Sequence, residues 1–297
     1  MSISIRRLIL VILGVIAGAA AWPLIELLLT FQHVFPSYFS FSLAQGIIFG
    51  AVLGAFYGSG EGLTSKEKGK ILGGALTGIV TGIAGGVIGF LAGQAVLFLV
   101  IQYTFSSFRT HQYIVIPLAR ILGWVILGVA VGASEGVRAR SLKKCLVGAA
   151  GGGIGGILGG AAIEYLRAIY PDLIYARLVG FVLFGLFVGL FYSLLERRVS
   201  LGVVRVLNGG KRGKEYSFAQ NRLSLGSAPR NDIVLEGYAG VAPRHASFRI
   251  RGKDVYIEKE SDQGRVLVNE APVRKSHLLK YEDVIQVGSA KIFYKTE

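Results

Sequence analysis

Along the first two hundred residues the apolar positions run together in six long blocks, residues 8–29, 41–59, 71–93, 119–136, 145–168 and 178–195, with charge confined to their edges. A helix needs about 20 apolar residues to cross the hydrocarbon core of a bilayer, so the blocks predict six transmembrane helices. The third block continues apolar from Ala95 to Tyr103, too long for one upright crossing; it tilts, kinks near Gln94 or lies partly in the interface. From residue 198 the pattern changes. Residues 201–207, 215–218, 222–225, 232–235, 246–250, 254–258, 265–268, 284–286 and 292–294 are short alternating or β-branched runs, divided by glycine-containing segments such as Asn208-Gly209-Gly210, Gly252 and Gly288. Many short strands at a spacing of about 8–12 residues predict a β-sandwich. The expected architecture is an α-helical membrane bundle, residues 1–198, followed by an all-β sandwich, residues 199–297.

The glycines of the first part have a period. Gly74, Gly78, Gly82 and Gly86, like Gly148, Gly152, Gly156 and Gly160, recur every four residues, which aligns them on one helix face and lets a second backbone come close. Apolar helices gain little hydrophobic drive from meeting each other in lipid, so close van der Waals contact has to hold them together. These glycine zippers are therefore read as helix packing, within one chain or between copies in a homo-oligomer. Sliding the chain by 74 residues also lays Gly54 on Gly128, Gly58 on Gly132, Glu61 on Glu135 and Gly78 on Gly152. An internal repeat of spans two and three as spans four and five is expected, both copies entering the membrane in the same sense. The sixth span repeats half of the unit, with Gly180, Gly185 and Gly189 spaced like Gly123, Gly128 and Gly132.

Composition agrees with a bilayer as solvent: 52% of residues are hydrophobic and 17% charged, against about a quarter charged in soluble chains. The net charge of +14 reads as a topology signal. With the N-terminus in the cytoplasm, eleven Lys and Arg near span ends fall on that side (Arg6, Arg7, Lys66, Lys68, Lys70, Arg138, Arg140, Lys143, Lys144, Arg197 and Arg198), and four on the other (Arg109, Arg120, Arg167 and Arg177). Six crossings then return the chain to the cytoplasm, so the sandwich is expected there, beneath a bacterial inner membrane. Arg6-Arg7, an apolar run and Ala19-Ala20-Ala21 also resemble a cleavable signal peptide, although the apolar stretch continues through Leu29, which favours retention.

Little in the chain suggests chemistry. The single cysteine, Cys145, excludes an intrachain disulfide and a cysteine-based metal cage. The four histidines, His33, His111, His245 and His277, are scattered, and no nucleophile set, metal-ligand spacing or phosphate-cradling loop appears; no enzyme, metal or cofactor is expected. Proton-coupled transport would place ionisable residues at mid-membrane, yet Glu26, Glu164, Arg120, Arg167 and Arg177 lie toward one end and Glu61, Glu135 and Glu196 toward the other. Pairing of Glu26 or Glu164 with Arg120 or Arg167 is expected as packing. No basic helix or aromatic platform accompanies the charge of the second part, so nucleic acid is not an expected partner.

In the second part, GSAPRNDIVL, VAPRHASF, a Gln-Gly turn before VLVNEAPV, and YEDVIQVGS follow one another. In this order they resemble the motifs of the forkhead-associated (FHA) domain, over residues 201–295. The resemblance implies a sandwich of the SMAD/FHA type that binds phosphothreonine peptides through loops at one end. The helical part is similar to glycine-rich membrane domains attached to bacterial proteins of this kind, which carry no known activity. On the family pattern Ser227 stands where the phosphate-binding arginine is usual, Ala242 where a serine is, and Gln263 where an asparagine is. Phosphate capture calls for charge-assisted donors, arginine above all, so Arg230 and Arg244 are the candidates to replace the missing one. The candidate peptide-binding residues are thus Ser227, Arg230, Arg244 and Gln263, with Gly226, Asn231, Asp232, His245 and Gly264 as loop architecture. The expected function is a membrane-anchored adaptor whose FHA module recruits a protein partner, through phosphothreonine or independently of it. The alternative is a transport or channel component regulated or assembled by that module.

Overall fold

A computed structural model describes residues 3–65, 68–103, 111–170, 174–199, 202–218, 221–252, 254–261 and 264–295. Its contacts divide the chain into two compact units, Arg7–Arg197 and one built on Arg198–Glu297.

Among the described residues the first unit has six long α-helices: α1 (Ile3–Thr30), α2 (Tyr38–Ser65), α3 (Lys68–Tyr103), α4 (Ile116–Arg138), α5 (Leu142–Ile169) and α6 (Ile174–Val199). Each contains a stretch long and apolar enough to cross a membrane. At about 1.5 Å rise per residue, the 36 residues of α3 exceed the roughly 30 Å hydrocarbon core, and the helix passes Gln94 without interruption. The sharp turn between α4 and α5 is capped by Ser141, whose hydroxyl accepts the Lys144 amide at 3.3 Å, satisfying one of the free donors at a helix start. Pro117 sits in the first turn of α4, where its missing N–H costs nothing.

Glycine sets how these helices meet. A Cβ on Gly78 would lie 1.9 Å from the carbonyl oxygen of Gly54, one on Gly82 2.0 Å from that of Gly50, and one on Gly86 2.0 Å from that of Gly46, so α2 and α3 touch backbone to backbone. Gly74 meets Gly58 in the same way. Between α4 and α5, Gly148 faces Gly132 and Gly152 faces Gly128, whereas Gly156 and Gly160 lie against the backbone and side chain of Trp124. A third contact of this kind joins the first helix to the last: a Cβ on Gly185 of α6 would be 1.9 Å from the Gly14 oxygen of α1. Where side chains meet, aromatic rings pack among aliphatic ones such as Leu53, Leu127 and Val188. Phe49 of α2 presents its edge to Trp124 at 5.0 Å and to Phe181 at 4.7 Å between ring centres, each such pair worth about 0.5–1.5 kcal/mol beyond burial.

Charge collects at the two ends of the bundle. At the end where α1 finishes and α6 begins, Arg177 holds Glu26 bidentately, with Nη2–Oε2 2.7 Å, and Arg120 lies 3.4 Å from Glu164. The expected pairing is therefore corrected for Glu26: its partner is Arg177, because α1 lies against α6. At the opposite end Arg138 hydrogen-bonds Glu61, Lys144 stands 3.7 Å from the same carboxylate, and the Tyr192 hydroxyl donates to the buried Glu135.

The second unit is a two-sheet sandwich. Among the described residues, one sheet runs β2-β1-β11-β10-β7-β8 and the other β4-β3-β5-β6-β9. Its strands are β1 (Val203–Val206), β2 (Glu215–Ser217), β3 (Arg222–Gly226), β4 (Ile233–Val234), β5 (Ala246–Arg251), β6 (Asp254–Lys259), β7 (Val266–Val268), β8 (Ala271–Pro272), β9 (Ser276–Leu278), β10 (Val284–Val287) and β11 (Ala290–Lys295). All pairings are antiparallel except β3 with β4. Alternation puts Leu223 and Leu225, Phe248, Val255 and Ile257, Ile285 and Val287, and Ile292 into one core between the sheets. Phe218 packs edge-on to Phe248 at 5.2 Å and to Tyr294 at 5.8 Å. The β7–β8 hairpin turns on Asn269 and Glu270, both with positive φ, 48° and 68°, as its two-residue turn demands.

Candidate functional site

Three loops meet at one end of the sandwich: β3–β4, β4–β5 and β6–β7. Gly226 ends β3 so close to the neighbouring loop that a Cβ would fall 2.3 Å from the Pro243 oxygen and 2.9 Å from Asn231 Nδ2. The backbones zip directly, with the Ser227 amide donating to Ala242 O at 3.0 Å and the Ala228 amide to Pro243 O at 3.2 Å. Asn231, 3% exposed, then donates from Nδ2 to both Ala228 O (2.9 Å) and Pro243 O (2.7 Å). One amide thereby closes the β3–β4 loop on itself and ties it to β4–β5. Asp232 fixes the exit of the same loop, its Oδ2 accepting from the Ser224 amide (2.8 Å) and hydroxyl (2.7 Å) while its own amide donates to Ser224 Oγ (3.1 Å).

His245 joins the third loop to the other two. Its side chain is fully buried, Nδ1 accepts the Ala242 amide at 3.0 Å, and Nε2 lies 3.2 Å from Arg265 O. Because Nδ1 faces a donor and Nε2 a carbonyl, the arrangement selects the neutral tautomer with the proton on Nε2. Burial lowers its pKa, with the Arg265 carbonyl opposing and Lys259 reinforcing that shift. Gly264 explains the ring's position: a Cβ there would stand 2.2 Å from His245 Cε1, so only glycine leaves room for the imidazole. The His245 oxygen also receives the amides of Glu260 (3.0 Å) and Ser261 (3.2 Å).

The outward-facing groups differ in character. Arg230 is exposed and makes no hydrogen bond or ion pair with any described residue, and Ser227 is half-buried. The Arg244 side chain is 72% exposed, with Nε 3.8 Å from Glu260, too far for a hydrogen bond. Glu260 is held more closely by Arg222. Burial alone would raise the pKa of Glu260, but the Ser247 hydroxyl and the Arg222 and Arg244 guanidinium groups outweigh it and hold the carboxyl below its ordinary range. Gln263 lies outside the described residues.

The structure thus brings Gly226, Ser227, Arg230, Asn231, Asp232, Arg244, His245 and Gly264 to one end of the sandwich. Sequence reading missed Glu260 and Ser224. Glu260 is one of several acidic residues ahead of the Gln-Gly turn (Glu258, Glu260 and Asp262), so nothing in the sequence singles it out; Ser224 sits mid-strand and carries no signal for its bond to Asp232. Among the described residues, no group of three His, Cys, Asp or Glu side chains is placed to hold a metal. The arrangement can present two guanidinium groups to an anionic ligand from a rigid rim.

Residues 205–297 match the family described as the inner membrane component of T3SS, cytoplasmic domain. No curated protein matches the chain. Among solved structures, the chain is similar to an FHA domain analysed for phosphothreonine-dependent interactions, at 24% identity over 32% of this chain and 96% of that one, TM-score 0.29. It is similar also to the FHA domain of a protein from Chlamydia trachomatis, at 22% identity over 32% and 97%, TM-score 0.31. A third similar structure is the cytoplasmic domain of the T3SS sorting platform protein PscD from P. aeruginosa, at 20% identity over 32% and 79%, TM-score 0.29.

Proposed function

We propose that the chain is a membrane-anchored adaptor whose sandwich, on the cytoplasmic face of a bacterial inner membrane, recruits a protein partner through its loop end. The observation that carries this reading is the contrast within that end. Buried Asn231 and His245 hold three loops together, while Arg230 and Arg244 stand exposed around Ser227. A braced rim carrying two outward cations suits an anionic segment, because the loops lose little freedom when it binds. Phosphothreonine is one such segment. With Ser227 at the usual arginine position, its phosphate depends on Arg230 and on Arg244, which is already drawn toward Glu260. The bias of eleven cations to four supports the orientation, as does the description of the matching family as a cytoplasmic domain.

The test is equilibrium titration of the full chain in lipid nanodiscs with a phosphothreonine peptide library, alongside unphosphorylated and glutamate-substituted controls. Saturable binding that weakens about tenfold or more in R230A or R244A, as loss of a charge-assisted contact implies, supports the reading. Binding that ignores both arginines, or none to any anionic peptide, contradicts it.

A further inference from the structure

The helical unit contains a cavity of about 540 Å³ at the end where α1, α3 and α5 finish and α2, α4 and α6 begin. Ligand pockets of roughly 300–1,000 Å³ are the usual size, but the lining here is unusual for a space inside a membrane bundle. Arg120, Arg167 and Arg177 all contribute to its wall, with Glu164 the acidic residue among them. Arg177 is committed to Glu26 by two short hydrogen bonds. Arg120 reaches Glu164 at 3.4 Å, longer than the 2.7–2.9 Å of a well-formed charge-assisted bond, and keeps most of its five donors free. Arg167, exposed in the last turn of α5, makes no hydrogen bond with any described residue; Glu164 attracts it, but that carboxylate already bonds Arg120. Counting Glu26 and Glu164 against the three arginines leaves one cation in excess.

A surplus guanidinium at the rim of a membrane-spanning bundle normally finds an anion or marks a binding site. The rest of the wall is largely apolar, with Phe41 and Leu97 near the level of the arginines and Phe90 and Trp124 about one turn further into the bundle. A cationic mouth over an aromatic and aliphatic floor matches an amphiphile with an anionic head and a hydrocarbon tail. We propose that this cavity binds an anionic phospholipid of the surrounding leaflet, the phosphate diester at Arg167 and Arg120 and part of an acyl chain against Phe41, Phe90 and Trp124. The site is independent of the sandwich and of what it recruits.

Trp124 makes the proposal measurable. The chain has two tryptophans, so Trp22→Phe leaves Trp124 as the sole reporter. The full-length W22F protein in neutral detergent is titrated with phosphatidylglycerol carrying brominated acyl chains, with brominated phosphatidylcholine as the comparison. The expected result is saturable quenching at an at least tenfold lower mole fraction of the anionic lipid. Arg167→Gln should remove roughly that tenfold preference and Arg167→Lys part of it, since lysine keeps the charge without the fork. Millimolar inorganic phosphate should not displace the lipid. Equal quenching by the two lipids, or an anionic preference that R167Q and R167K both leave intact, overturns the proposal. So does full displacement by phosphate, which would assign the cations to a free anion. The comparison of lipids on W22F decides the matter even if an arginine variant fails to fold.

Discussion

Replacing Gly152 by alanine adds one methyl group where the structure has no space for it. That Cβ would stand 2.0 Å from the Gly128 carbonyl oxygen, and ordinary contact begins at 3.4 Å. The obstruction is backbone on a packed helix, so no side chain can swing aside; α4 and α5 must separate by more than an ångström along this seam. Overpacking of this kind costs typically 1–3 kcal/mol, because a gap of 0.5–1 Å already forfeits a quarter to a half of each dispersion contact along the seam. The informative control is Gly73→Ala on α3, whose added Cβ meets nothing within 4 Å. There alanine only relieves the flexibility of glycine, a gain of roughly 0.5–1 kcal/mol. The two substitutions are chemically identical and should change stability in opposite directions. Unfolding of the purified chain in mixed micelles with rising dodecyl sulfate, followed by circular dichroism, reads both. If G152A and G73A shift the midpoint in the same direction, glycine contact is not what holds these helices.

Other outcomes follow from the sandwich. Gly264→Ala drives a methyl group into the His245 ring and should cost about 2–3 kcal/mol by overpacking and by loss of the Ala242 contact, seen as faster amide hydrogen exchange across residues 242–265. Glu270→Gly should stabilise by about 0.5–1 kcal/mol, since φ of 68° strains a residue with a Cβ and suits glycine; chemical denaturation of the sandwich measures it. The lowered pKa of His245 means that the unfolded chain takes up a proton near pH 6.5 that the folded one refuses. Stability should therefore be full above that pH and decline as pH falls toward the folded value. Exchange protection in His245→Gln should lose this component of the pH dependence. Glu260, held low, contributes above the ordinary glutamate range near pH 4.3, and that contribution should fade only as pH falls through its depressed value.

Much of the architecture is legible from periodicity because long apolar blocks and alternating runs each have one economical solution in their solvent. The six helices cover the six apolar blocks, and nine of the strands fall where short β-branched runs lie. The exceptions are instructive. β8 is Ala271–Pro272 and β9 is Ser276–Leu278, too short to show a period, and both are created by neighbours that pair with them. Charge pairing failed at Glu26, since a sequence shows which end of a helix bears a charge but not which helix lies beside it. The contact of Gly14 with Gly185 is hidden for the same reason, its members standing on the first and last helices. At the loop end, the Gln-Gly pair announces a turn, but nothing in it says that Gly264 is where the imidazole of His245 rests.

The most direct measurement of the adaptor reading is photocrosslinking in intact cells, with a photoreactive residue placed at Arg230 of the loop end and, as comparison, at Arg249 in the middle of β5. The expected result is an adduct with a discrete cytoplasmic protein from position 230 that is missing from position 249 and lost when Arg244 is changed to alanine. Equal labelling from both positions, or an adduct with a protein confined to the opposite, periplasmic side of the membrane, would contradict it.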